Sequence, residues 1–141
     1  MKRKKRTEIL ISGSTLLAET LAQEILARYE VTVIEEPNDG LVMVKMRETA
    51  KKSLFYLGEV LVSECKVQIA GSLGIGIVTG NHPILCRHLA IIDAAYNAEL
   101  QETKSWEKDL LAEEERITSE TMMYSSAVLR TKVDFETMDV E

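Results

Sequence analysis

The chain has 141 residues, 45% of them apolar and 28% charged, with a formal charge of −6 at pH 7. That length suits one domain around one continuous core, and the balance is that of a folding chain, not a disordered one. Five cations among the first six residues, set against the total of −6, leave about −11 on the other 135, which excludes a basic nucleic-acid surface on the body.

No apolar run approaches the roughly 18 residues of a membrane span, and MKRKKRTEIL lacks the uninterrupted apolar stretch of a secretory signal. Two cysteines are too few for a disulfide framework. The expected location is the cytoplasm, with no membrane and no nucleic acid as partner. Residues 1–6 read as a solvated or frayed terminus.

A short apolar stretch from Thr7 to Ile11 predicts one or two helical turns, stopped at Ser12-Gly13. Ser14 can cap the next helix, in which Leu17, Leu21 and Ile25 recur every four residues up to about Arg28. The period then shortens. VTVIEE (31–36) is β-branched, Pro37-Asn38-Asp39-Gly40 carries turn chemistry, and LVMVKMRE (41–48) follows as a second strand. LFYLGEVLV (54–62) reads as a strand that bulges or bends at Gly58-Glu59, and ECKVQIA places Cys65, Val67 and Ile69 on one face.

Gly71-Ser72 predicts a hairpin into LGIGIVTG, with Leu73, Ile75 and Ile77 on one face and Gly74 and Gly76 opposite. The glycines at 74, 76 and 80 miss the dinucleotide fingerprint by one residue, and no Lys-Ser/Thr follows Gly80 as a Walker loop needs. Gly74 and Gly76 instead bare one sheet face for close approach of a backbone or a helix. Asn81 can cap a helix with Pro83 in its first turn and Leu85, Leu89, Ile92 and Tyr96 as its stripe. A second long helix is expected over 103–128 on Trp106, Leu110, Ile117, Tyr124 and Val128. Beyond it, Val133 and Phe135 alternate around Asp134, as in an extended segment that docks on something.

The expected fold is therefore α+β: an antiparallel sheet of about four to five strands in the middle of the chain, packed against an N-terminal helix and two C-terminal helices. It forms a single domain, 1–141, with 129–141 as an extended docking segment. Residue chemistry offers little else. His82, Cys86 and His88 with Cys65 lack paired Cys-x-x-Cys spacing, and His88 points away from His82 around a helix. Glu59 and Glu64 read as strand-edge or ion-paired carboxylates before catalytic ones. No catalytic, cofactor-binding or metal-binding residue is expected.

Across Gly40-Leu41-Val42-Met43, Leu57 to Glu64, Gly74-Ile75-Gly76, Ala90-Ile91-Ile92-Asp93-Ala94, and Val133-Asp134-Phe135 with Met138, the chain resembles the G subunit of the bacterial carbon-phosphorus lyase core complex. The resemblance implies two copies in a two-fold-symmetric assembly with H, I and J subunits, most directly the I subunit. It implies a part in displacing adenine from ATP by an alkylphosphonate to give ribose 1-phosphonate 5-triphosphate. ATP would be a substrate of the complex, and the iron-sulfur cluster with S-adenosylmethionine would belong to the J subunit. On this view the chain is an accessory subunit of a transferase, docking through Gly58, Glu59, Gly74, Gly76, Val133, Asp134 and Phe135. The other reading is a stand-alone anion- or nucleotide-binding protein using the helix N-terminus at Asn81-His82.

Overall fold

The computed structural model describes residues 1–131. Two helices open the chain, α1 (Arg3–Ser12) and α2 (Thr15–Arg28). Three strands follow, β1 (Thr32–Arg47), β2 (Leu54–Ile69) and β3 (Ser72–Thr79), and then α3 (Pro83–Asn97) and α4 (Glu102–Thr131). The strands form one antiparallel sheet in the order β1-β2-β3.

The fold class stands, but the sheet has three strands where four to five were expected. Both missing breaks are absorbed inside long strands. Pro37-Asn38-Asp39-Gly40 does not turn the chain. β1 is an edge strand, where a residue without an N–H is tolerated, and the pairing to β2 shifts register between Glu35 and Asn38. The Asn38 side chain donates to Glu35 Oε1 and to the Glu36 carbonyl, both at 2.9 Å, which holds that irregularity locally. β2 also runs through its break. The bulge expected near Gly58 is present as a register shift, Val44 facing Gly58 and Lys45 facing Tyr56.

The second hairpin turns on Ala70-Gly71, one residue earlier than the sequence suggests. Both have positive φ, 50° and 81°, as a two-residue turn matched to strand twist requires, so Ser72 already pairs with Ile69.

One sheet face packs on α3. Cys65, Val67 and Ile69 point into it, paired with Gly76, Gly74 and Ser72. A Cβ at Gly74 would overlap Ala90 O and Ala94 N, and one at Gly76 would overlap Cys86 O. The two glycines therefore let the α3 backbone lie against β3. Gly76→Ala should cost about 1–3 kcal/mol, read as a lower denaturation midpoint at unchanged m-value. α2 completes the core with Ala18, Leu21, Ala22 and Ile25, and Trp106 and Leu110 of α4 close its end.

Capping follows the sequence at α2, where Ser14 Oγ accepts from Leu16 N–H at 3.2 Å. At α3 it does not. His82 and not Asn81 holds the N-cap position, without a side-chain cap, while Ser63 Oγ accepts from His82 N–H and donates to the Gly80 carbonyl. At α4, Glu102 accepts from Arg28 and from the Tyr29 hydroxyl, at 3.0 and 2.9 Å. Its own backbone N–H, then Arg28 and Tyr29, hold its carboxyl below the ordinary value against the opposing effect of burial. A depressed folded-state pKa contributes stability above the unfolded value and loses it as pH falls. The thermal midpoint should thus drop on acidification through the carboxylate range, near the ordinary 4.5 and below, and Glu102→Gln should flatten that part of the profile.

The basic cluster is not simply solvated. α1 begins at Arg3, and Arg6 is buried. No single helix among the described residues is long and apolar enough to cross a membrane.

Candidate functional site

β3 accompanies β2 only from Val62 to Ile69. The rest of the first hairpin, residues 41–47 paired with 54–61, has no third strand beside it among the described residues. At about 3.3 Å per residue this two-stranded ribbon reaches roughly 23 Å beyond the three-stranded region. Its tip is tied by Glu48 N–H to the Ser53 carbonyl and by Arg47 to the Lys52 carbonyl, each at 2.9 Å.

The register sorts its side chains. Val42, Val44, Met46, Phe55 and Val60 share one face and continue from Val62, without a charge among them. Leu41, Met43, Leu54, Tyr56 and Leu61 share the other with Lys45, Arg47 and Glu59, and Lys45 Nζ lies 5.2 Å from the Tyr56 ring centre. Leu41, Met46 and Tyr56 remain 64%, 51% and 58% exposed. A lone hairpin is marginally stable in water, and surface apolar residues are usually scattered, so a continuous apolar ribbon marks a surface that another chain covers.

Of the expected docking residues, Gly58 and Glu59 lie on this ribbon, Glu59 opposite Met43, with open space where a Gly58 side chain would be. Gly74 and Gly76 do not join them, because they are buried beneath this chain's own α3. Val133, Asp134 and Phe135 lie outside the described residues. Sequence reasoning missed Val42, Val44, Met46 and Phe55 as surface residues. The available signal was length: two 16-residue strands against one of eight leave half a hairpin without a third strand among the described residues.

The body that carries the ribbon is bolted at Asp93. This buried α3 carboxylate accepts from Arg6 at 2.8 Å and from Ile75 N–H at 3.0 Å, and pairs with Arg3 at 3.1 Å, joining α1, β3 and α3. Burial pushes the Arg6 guanidinium below its ordinary value and Asp93 counteracts it, while Arg6 also lies 4.0 Å above the Tyr96 ring.

Around Asn81-His82, a recess of about 340 Å³ is lined by Thr15, Glu19, Asn81, His82, Pro83, Ile84, Leu85 and His88. It holds no Lys or Arg, its one carboxylate opposes an anion, and burial lowers the His88 pKa. Cys65 and Cys86 are buried free thiols, the Cys86 pKa pushed up to about 12 by burial and by Cys65. Among the described residues, no three His, Cys, Asp or Glu side chains gather so as to hold a metal.

A small α+β body with a buried ion-pair bolt and an uncovered apolar ribbon has the build of a component completed by other chains. The sequence comparisons are specific. The chain belongs to the family described as "Phosphonate metabolism protein PhnG", which matches residues 1–139. It is similar to the alpha-D-ribose 1-methylphosphonate 5-triphosphate synthase subunit PhnG of Rhizobium meliloti (strain 1021), 29% identical over 133 residues, 92% of this chain and 83% of the relative.

Proposed function

We propose that this chain is an accessory subunit of the carbon-phosphorus lyase core complex in the cytoplasm. It supports the I subunit as that subunit displaces adenine from ATP by an alkylphosphonate to give ribose 1-phosphonate 5-triphosphate, in an assembly that also contains the H and J subunits. The chain supplies surface, not reacting groups. Its contribution is to complete and hold the transferase component, and the iron-sulfur cluster and S-adenosylmethionine are held by a partner.

Family membership and the subunit name of the Rhizobium relative support this reading. The observation that carries it is the ribbon, whose apolar face from Val42 to Phe55 has no cover from any described residue. Obligate interfaces commonly bury more than about 2,000 Å² of mostly apolar surface, which two faces of such a ribbon can supply.

Co-expression with the I subunit is the test. The chain alone should associate or precipitate, and it should become soluble in a stoichiometric complex whose adenine release from ATP is lost when the chain is omitted. A monodisperse isolated monomer that ignores the I subunit would overturn the proposal. The recess at Asn81-His82 carries no second reading, since it offers an anion no cationic side chain.

A further inference from the structure

β3 has an outer edge that is only half closed. Residues 73, 75 and 77 present their backbone groups away from β2. Ile75 N–H donates to Asp93 Oδ2 at 3.0 Å, and the Leu73 carbonyl accepts from Asn97 at 2.7 Å, so two α3 side chains seal the first part. Beyond them Ile77 borders a cleft of about 520 Å³ between β3 and α1. Leu10, Leu89 and Ile92 form an apolar floor, and Lys4, Glu8 and the Asp93-paired Arg3 stand on the α1 side, where with Arg6 the cations outnumber the carboxylates by one. A strand edge, a greasy floor and a rim with a net positive charge suit an extended segment that alternates apolar and acidic residues.

We propose that this edge receives residues 132–141 of a second copy of the chain. That segment, KVDFETMDVE, alternates Val133, Asp134, Phe135 and Glu136, and carries four carboxylates against one lysine. Val133 and Phe135 fall short of their own body. The last partly buried side chain of α4 is Ile117, and 118–131 is exposed throughout, about 21 Å of helix at 1.5 Å per residue. At about 3.3 Å per extended residue, the four residues from Thr131 to Phe135 can turn back about 13 Å at most, short of that span. Exposed Tyr124 and Val128 travel with them toward the second copy. The exchange is reciprocal, two segments for two edges, and closes with two-fold symmetry. It uses a surface other than the ribbon and does not depend on phosphonate chemistry.

The test is a disulfide between two differently tagged full-length chains co-expressed in one cell. One carries Ile77→Cys and the other Val133→Cys or Phe135→Cys. Ile77 is 46% exposed, and the native thiols are buried and do not compete. If Ile77→Cys lowers the unfolding midpoint, Thr79→Cys on the same edge replaces it. Mild oxidation should give a reducible species bearing both tags, absent when either new cysteine is omitted. Closure only within one chain carrying both cysteines, linkage of position 133 or 135 to a different polypeptide, or no linkage would each overturn the proposal. Capture of the I subunit is read separately, so failure here and failure of the subunit assignment give different results.

Discussion

Met46→Asp combined with Phe55→Asp is expected to abolish co-purification with the I subunit while leaving the fold of this chain intact. Both residues lie on the uncharged ribbon face and pair directly across the strands, so the two carboxylates would sit side by side in an interface built to exclude water. Centrally buried apolar anchors typically contribute about 2 kcal/mol or more each, so losing two should weaken binding by roughly 700-fold or more, and further because a buried carboxylate lacks a partner there. The core contains neither residue, so circular dichroism and the unfolding midpoint of the body should stay near those of the parent. Leu16→Asp is the control. Leu16 is 64% exposed on α2, away from the ribbon, and its replacement should leave capture unchanged.

Asp93→Ala should be the most destabilising single change in the body. The side chains of Arg6 and Asp93 are only 7% and 8% exposed, and removing the carboxylate strands a buried guanidinium and also frees Ile75 N–H at the β3 edge. Breaking a buried pair by deleting one partner costs about 3–5 kcal/mol, which in a chain of this size lowers Tm by roughly 10 °C or more. The double variant Arg6→Met, Asp93→Leu should recover much of that loss, since an apolar pair needs no counter-charge. Recovery would separate the charge effect from general packing damage, and its absence would mean that the hydrogen bond to Ile75 carries most of the stability.

Periodicity exposed most of the body. The four-residue spacing of Leu17, Leu21 and Ile25 and the alternation at Cys65, Val67 and Ile69 predict helix and strand correctly, because each reflects one face turned to a core. Gly74 and Gly76 reveal a close approach, yet not to whom. Their partner is the α3 backbone, which lies ten to twenty residues further along, and only the folded geometry shows that it fills the space a subunit was expected to take. Pro37 to Gly40 misleads because turn residues are tolerated on an edge strand with a register shift, and no local signal says which strand is at the edge. Tyr124 and Val128 keep the stripe of Trp106 and Leu110 but are exposed, since the body ends beneath Ile117 while the helix runs on to Thr131. Asp93 stands out only within a family motif. Its pairing with Arg6, 87 residues away, is a tertiary fact.

Amide hydrogen exchange along residues 41–61 reads directly whether other chains cover the ribbon. In the isolated chain these amides should exchange rapidly, as in a hairpin with no third layer, while those of Cys65 to Ile69 stay protected. In the assembled complex, exchange across 41–47 and 54–61 should slow by orders of magnitude. Equal exchange of the ribbon in the free and assembled states would contradict the account.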